Sequence, residues 1–461
     1  MTRLFGTNGI RGIVNQEMTG QLALGIGMAW GTYLRSALQR PKVALGTDAR
    51  LSNQMLKSAI TAGFLATGCD LTDVGLVPTP ALQYTVKEKR FDSGVIITAS
   101  HNPPQYNGIK GTASDGAEYT KEAEEAIEAN YFTKHFLLSD WTDVGKYSSW
   151  DGAIDLYLEG ILSTVDVSSI QKQRFHVVLD CGNGVGSLVA PLLLKKLGCQ
   201  VTKLYCEPDG RFPGRFSEPI PENLGTLIAT VPKTGASFGI AQDGDADRAI
   251  FVDENGTYLW GDQTLTLIGK HIMSKNHGGT VVTPVTTSSC FEDVIHQQGG
   301  TVVYSKVGSP IVARVMKETN AVFGGEENGG LIFPEMTRCR DATLTLAKIL
   351  EILTREKRPL SELIKELPRY EMVKSKLPCP NGKKPLIMKT VLENVKNEES
   401  VLRIDTTDGV KLFLKNGWVL LRPSGTEPIF RVYAEAKQKT TAEHIATVYK
   451  HLIESLLKQE N

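Results

Sequence analysis

The stretch Gly94-Val95-Ile96-Ile97-Thr98-Ala99-Ser100-His101-Asn102-Pro103-Pro104-Gln105-Tyr106-Asn107-Gly108-Ile109-Lys110 decides the fold class. It opens as a short buried-strand run, Val95 to Ile97, inside a strand read from Asp92 to Thr98, and then breaks into small and polar residues. Pro103 and Pro104 forbid a helix or a central strand, so Ser100 to Lys110 is expected as a rigid loop at a strand end. In open α/β sheets that is where ligands bind. A hydroxyl (Ser100), a base (His101) and a cation (Lys110) would then share one stiff loop. An ordinary Ser/Asn/Pro turn has the same composition, so the loop needs company before it means chemistry.

Outward from this loop a strand–helix alternation repeats. Lys42 to Leu45 reads as a strand ending in Gly46-Thr47-Asp48-Ala49-Arg50, followed by a helix from about Asn53 to Thr67 with Gly68 as its stop. Cys69 to Val74 is the next strand. The pattern recurs with His176 to Asp180, the glycine loop Gly182-Asn183-Gly184-Val185-Gly186, a helix to Gly198, and strands Cys199 to Tyr205 and Ser237 to Ala241. A third copy runs through Thr280 to Val285, Thr301 to Ser305 and Ala321 to Gly324. The expected class is therefore α/β: three related units with mixed or parallel sheets around a cleft, followed by a C-terminal α+β domain. The boundaries fall at 1–150, 151–255, 256–368 and 369–461. In the last part, Glu371 to Pro385 looks like a connection, and strands Gly409–Leu414 and Trp418–Leu421 flank an Asn416-Gly417 turn. A further strand, Phe430 to Ala434, precedes an amphipathic helix from Thr440 to Leu457 with Ile445, Val448, Leu452 and Leu456 along one stripe.

Length and charge bound the function. At 461 residues the chain is long enough for about three or four domains of roughly 100–200 residues. Lys plus Arg equals Asp plus Glu at 51 each, so no global field attracts nucleic acid or anionic lipid. Seven scattered cysteines with no CxxC pair argue for reduced thiols in a cytoplasmic protein, without a zinc site or disulfide framework. The start has no apolar signal region, and the most apolar stretch, Leu22 to Leu34, is too short to span a bilayer.

In the second unit Asp243, Asp245 and Asp247 alternate with small residues in Asp243-Gly244-Asp245-Ala246-Asp247-Arg248, so three carboxylates can converge on one hard divalent cation. A calcium EF-hand fails here: Arg248 stands where the loop needs Gly, and Phe251 takes a ligand position. An aspartyl-phosphate phosphatase also places a D-x-D after a strand and stays open, as does a solvated acidic turn. Glu326 and Glu327 sit in a glycine frame with Asn328 and suit the vicinal hydroxyls of a sugar, although a turn with exposed acids has the same composition. Arg422-Pro423-Ser424-Gly425-Thr426 offers a guanidinium, two hydroxyls and free backbone N–H groups, a set that suits a phosphate dianion. The glycine loop at 182–186 lacks the third Gly of a dinucleotide fingerprint, so it reads as close backbone packing. Thr7 and Arg11 form another glycine-framed cation near the start.

Thr98-Ala99-Ser100-His101-Asn102-Pro103, Asp243 to Arg248, Gly325-Glu326-Glu327-Asn328-Gly329 and Arg422-Pro423-Ser424-Gly425-Thr426-Glu427-Pro428 together resemble the four signature loops of the α-D-phosphohexomutases, in that family's order and across essentially the whole chain. The opening Phe5 to Gly12 resembles the phosphoglucosamine mutase branch, and the whole is similar to archaeal enzymes assigned as phosphomannomutase or phosphoglucosamine mutase. The resemblance implies a phosphoserine at Ser100 and Mg²⁺ held by Asp243, Asp245, Asp247 and the Ser100 phosphate. It implies sugar contacts from Glu326 and Asn328, and a phosphate site at Arg422, Ser424, Gly425 and Thr426. Arg11, Arg248 and Lys110 would surround the transferring group, with Lys110 as an acid/base and His101 beside the serine. The implied substrate is a sugar phosphate; neither nucleic acid nor membrane is an expected partner, and the oligomeric state is open.

The chain departs from the family's pattern in two places. Many members read GExSGH in the sugar loop, whereas Asn328 and Gly330 stand here for the Ser and the His, which leaves a second acid/base unassigned. In Lys306-Val307-Gly308-Ser309-Pro310, Ser309 and Pro310 look like an N-cap and first helical residue, and glucose, mannose and glucosamine are not separated. Two other classes remain as rivals: a metal-dependent sugar phosphatase with an Asp nucleophile, and a catalytically silent sugar-phosphate binder.

Overall fold

The computed structural model describes residues 3–395, 398, 400–425 and 427–459. Its first three sheets repeat one topology. In each, the first strand is central, the second pairs with it in parallel on one side and the third in parallel on the other, and a fourth returns antiparallel to the third. These are Lys42–Thr47, Asp70–Leu76, Ser93–Ile97 and Tyr106–Ala113 in the first unit. The second unit uses His176–Asp180, Gln200–Leu204, Phe238–Gln242 and Ala249–Asp253. The third uses Gly279–Pro284, Gly300–Ser305, Phe323–Gly325 and Leu331–Phe333. The fifth position is filled by the next strand in the second and third units, and by the early strand Ile10–Ile13 in the first. The three polar loops all join the third strand to the fourth, so the topology alone puts them at equivalent sheet ends.

The strands Ser93–Ile97, Phe238–Gln242 and Phe323–Gly325 are buried along their whole length, which is why they read as continuous apolar or small-residue runs. One apolar core passes through all three units, taking in Val86 and Ile96, then Tyr157, Leu179 and Phe238, then Leu265, Phe323 and Leu350. A core shared in this way holds the loops of different units in fixed register.

Lys110 is not on the Ser100 loop. The loop closes by Gln105, and Lys110 lies within the strand Tyr106–Ala113, opposite Ile96. Asn107 and Gly108 fit this strand because Gly108 packs against the backbone of Ile10 and Thr98. The helix expected between Val185 and Gly198 is split into a short 3₁₀ turn, Val185–Leu188, and the helix Ala190–Lys196. Ser309 is the first residue of the helix Ser309–Glu318 and Gly308 is its N-cap, because the Ser309 hydroxyl is turned toward Glu118.

The fourth domain is a five-stranded antiparallel sheet in the order Glu371–Pro378, Ile429–Ala436, Gly417–Pro423, Val410–Leu414, Val401–Asp405. The helices Lys384–Val395 and Lys439–Gln459 accompany it. Glu371–Pro378 is thus an edge strand and not a connection. Lys and a terminal Pro suit an edge, where they block further pairing, and that composition imitates a linker. On the last helix Val448 is 47% exposed, and the buried stripe runs through Ala442, Ile445, Tyr449, Ile453 and Leu456. Trp418, Leu420 and Tyr433 of this domain pack on Val285 of the third. The Lys411 ammonium lies 4.0 Å from the Trp418 ring centroid and donates to the Val285 carbonyl at 2.8 Å. No helix among the described residues is long and apolar enough to cross a membrane.

Candidate active site

Ser100 sits at the tip of its loop with φ 51°, a left-handed conformation that costs a non-glycine residue free energy and needs support from its surroundings. The support is Arg50. Its buried guanidinium donates to the carbonyls of Ser100 (3.0 Å), Asn102 (2.6 Å), Pro103 (2.7 Å) and Tyr106 (2.8 Å), and pairs with Asp48 at 3.1 Å. Asp48 in turn accepts from the Thr98 hydroxyl at 2.7 Å, and Thr98 accepts from the Ser100 N–H at 2.9 Å. The serine is therefore aimed by a closed network. Its hydroxyl donates to Asp243 Oδ2 at 2.8 Å and lies 3.2 Å from His101 Nδ1.

The Asp243–Arg248 loop is built in the same way. Arg215 pairs with Asp180 at 2.9 Å and donates to the Gln242 carbonyl at 2.6 Å, one residue before Asp243. Glycine is required at 184, because a Cβ there would fall 2.6 Å from the Gly244 carbonyl oxygen; the glycine loop is a backbone seat for the acidic loop. All three aspartates are buried, and one oxygen from each lies within 4.8 Å of the others. Burial raises the Asp243 pKa, with Asp247 and Asp245 pushing the same way. Burial also opposes ionisation of Asp245, yet Lys110 Nζ at 2.6 Å and the Thr79 hydroxyl at 2.7 Å outweigh it, and its pKa is lowered. Asp245 Oδ1 and Asp247 Oδ1 are buried with no hydrogen-bond partner. Orphaned carboxylate oxygens are costly in a dry interior, and a hard cation satisfies them, so the site fits a divalent metal.

The third loop joins through a residue that sequence reasoning missed. Arg340 donates to Asp247 at 2.5 Å and to Glu326 at 3.1 Å, so one buried guanidinium ties the Glu326 loop to the acidic loop. Burial opposes its charge, but Asp247 and Glu326 more than compensate and raise its pKa. It also explains Gly330: a Cβ there would lie 2.2 Å from Arg340 Cδ, so the arginine takes the space into which a side chain at 330 would grow. Glu326 further accepts from the Gly308 N–H at 3.1 Å, and Asn328 Oδ1 accepts from the Gly330 N–H at 3.1 Å.

Cations ring the serine. Arg11 donates to Asn102 Oδ1 at 2.8 Å, and burial, with Arg248 and Arg340 close by, lowers its pKa. The Arg248 guanidinium comes 3.8 Å from Asp247, and its buried Nε makes no hydrogen bond. Burial and the charges of Arg248, Arg11 and Arg340 hold His101 neutral, with its pKa far below the ordinary imidazole value. The structure thus brings together Ser100, His101, Lys110, Arg11, Arg248, the three aspartates and Glu326.

Arg422 Nε donates to Asp408 Oδ2 at 2.7 Å, and the same oxygen accepts from the Val307 N–H of the third domain at 3.0 Å. Ser424 Oγ accepts from the Glu427 N–H at 3.1 Å, and Lys384 Nζ holds the Ser424 and Glu427 carbonyls at 2.6 Å each. Gly425 overhangs a cavity of about 900 Å³ whose walls include Thr7, Glu118, Lys306 and Pro310. Thr426 lies outside the described residues. Arg50, Arg215 and Arg340 escaped sequence reading because each is a single arginine remote from the loop it serves; Asp48 and Arg50 at a strand end were the one available signal.

Comparison with known proteins agrees along the whole chain. The phosphoglucomutase/phosphomannomutase alpha/beta/alpha domains I, II and III match residues 2–137, 155–256 and 260–370, and the C-terminal domain matches 375–449. The phosphoglucomutase/phosphomannomutase of Thermococcus kodakarensis is 46% identical over 459 residues, covering 99% of this chain and 100% of that protein. The phosphoglucosamine/phosphogalactosamine mutase of Sulfurisphaera tokodaii is 40% identical over 458 residues, covering 98% and 100%. A crystal structure of a phosphoglucomutase/phosphomannomutase family protein from Burkholderia thailandensis has a TM-score of 0.88 at 29% identity, covering 98% of this chain and 97% of that one. With its four domains in order and its repeated sheet topology, the chain belongs to the phosphoglucomutase/phosphomannomutase family.

Proposed function

We propose that the protein is a phosphohexomutase that moves a phosphoryl group between O6 and O1 of a hexose phosphate by way of a phosphoserine at Ser100 and a sugar bisphosphate. The observation that carries this reading is the Ser100 hydroxyl, held in a left-handed turn 2.8 Å from Asp243, with the charges of Arg11 and Arg248 acting on the adjacent His101 and with Lys110 paired to Asp245 of the acidic loop. Phosphoryl transfer needs little covalent help from a protein; it needs an in-line nucleophile and positive charge on the transferring oxygens. Arg11 and Arg248 are placed to meet that charge. Lys110, buried in a strand beside the acidic loop, is the group that would hold or release the proton of the attacking sugar hydroxyl.

The metal we assign to Asp243, Asp245 and Asp247 is Mg²⁺, since three carboxylates and one phosphate oxygen suit a small hard cation. When bound it supplies positive charge to the transferring group. Glu326 and Asn328 are the assigned hydroxyl contacts. Arg422, Ser424, Gly425 and Thr426 are the assigned anchor for the non-reacting phosphate, a reading supported by their anion-binding composition. One phosphoryl donor and one remote anchor require the bisphosphate to turn over between two transfers. The relatives described above are all named as mutases or members of their family, and none as a phosphatase. A panel of the 1-phosphates of glucose, mannose and glucosamine, each with Mg²⁺, tests the reading. Conversion of at least one to its 6-phosphate is expected; release of inorganic phosphate without isomerisation would overturn it.

A further inference from the structure

We propose that Cys181 and Cys206 are a modification site: on meeting a hydroperoxide they join as an intrachain disulfide beneath the acidic loop. The two sulfurs lie 3.1 Å apart. They extend neighbouring parallel strands, His176–Asp180 and Gln200–Leu204, in which Asp180 stands opposite Leu204. The pairing continues past the strand ends, where the Cys181 N–H donates to the Leu204 carbonyl at 3.2 Å and the Asn183 N–H to the Tyr205 carbonyl at 2.8 Å. Tyr205 adopts φ 52°, a strained turn for an aromatic residue, directly before Cys206. A disulfide needs its sulfurs at about 2.05 Å, so closure asks for about 1 Å of movement between side chains that already face each other.

Cys206 is half-buried and Cys181 is buried, so an oxidant reaches Cys206 first. Contact with Cys181 also lowers the Cys206 pKa while burial and Cys206 raise that of Cys181, so Cys206 is the thiol that meets the oxidant and Cys181 the one that follows. Burial pushes the thiols of Cys69 up to about 11 and of Cys199 and Cys290 up to about 12. The Cys206 sulfur attacks the peroxide, the O–O bond breaks, and a sulfenic acid and an alcohol (water, for hydrogen peroxide) form. The Cys181 sulfur then displaces the sulfenic oxygen. The S–S bond forms, the S–O bond breaks, and the oxygen leaves as water with the thiol proton. The two thiols are oxidised by the two electrons that reduce the peroxide. The bond ties positions 25 residues apart and lies next to Asp180, which grips Arg215. Its main effect is to restrict the unfolded chain.

The test treats the whole protein with equimolar hydrogen peroxide, counts thiols after denaturation, and maps unreduced peptides. Two of the seven thiols should disappear, with one cross-linked peptide pair joining Cys181 to Cys206 and a rise in the thermal unfolding midpoint that dithiothreitol reverses. Cys206→Ser, at the half-buried position, should show neither the cross-link nor the rise. All seven thiols surviving, a sulfinic acid on Cys206 without a cross-link, pairing with another cysteine, or an unchanged midpoint in the cross-linked protein would overturn the proposal.

Discussion

Arg340 shows how much of this site depends on single buried charges. It bridges Asp247 of the acidic loop and Glu326 of the third unit's loop, and its side chain takes the space beside Gly330. Arg340→Lys keeps a charge but cannot reach both carboxylates with a planar fork. A lost charge-assisted contact of this kind is worth roughly 1.5–3 kcal/mol, so kcat/KM is expected to fall about ten- to a hundredfold. Steady-state assay with a folding check by circular dichroism measures this, and unchanged kinetics would remove Arg340 from the site. The orphaned oxygens of Asp245 and Asp247 make a second expectation at the same scale. Asp245→Asn withdraws one ligand charge and the partner of Lys110, so turnover should drop steeply while the fold persists, and a chelator should silence the wild type. Full activity in excess chelator would exclude the metal.

At the scale of the element, the functional unit is the hairpin crossing from the third strand to the fourth of each sheet, clamped from behind. Arg50 clamps the Ser100 crossing through four carbonyls, and Arg215 clamps the Asp243 crossing through Gln242. Both arginines are paired with an aspartate at the end of the unit's first strand, Asp48 and Asp180. Arg50→Met would leave Asp48 buried without its cation and four carbonyls without a donor. Breaking a buried pair from one side costs about 3–5 kcal/mol, so the first unit should unfold at markedly lower denaturant, as hydrogen exchange of the strand Ser93–Ile97 would report. Normal protection there would mean the loop holds itself.

The crossings were legible in the sequence because their compositions are abnormal for turns: alternating aspartates, a Ser-His-Asn-Pro-Pro run, paired glutamates among glycines. The clamps were not, because an arginine that hydrogen-bonds to backbone carbonyls leaves no pattern along the chain. Lys110 was placed on the loop because Pro103 and Pro104 argued against a strand as far as Lys110, whereas the strand begins just after them at Tyr106 and Gly108 serves close packing of two strands. Glu371–Pro378 was misread because the residues that protect a sheet edge are those of a linker.

For the whole molecule, one core through three units fixes the Ser100, Asp243 and Glu326 loops against one another, while the fourth domain has its own core and meets the third through a small apolar patch. Asp408 links them, accepting from Arg422 and from the Val307 N–H. Arg422→Ala therefore removes both the proposed phosphate contact and the partner of Asp408. KM should rise and kcat fall together, by about one to two orders of magnitude in kcat/KM, because remote phosphate binding aligns the reacting hydroxyl. Unchanged values would make this loop a structural turn. The central claim is that Ser100 carries the phosphoryl group, and intact-mass measurement of the purified protein tests it most directly. The account predicts one phosphate on Ser100, discharged when hexose phosphate and Mg²⁺ are added, and none in Ser100→Ala, which should be folded and inactive. Ser100→Ala turning over at the normal rate with sugar bisphosphate supplied, or a stable phosphate on another residue, would contradict it.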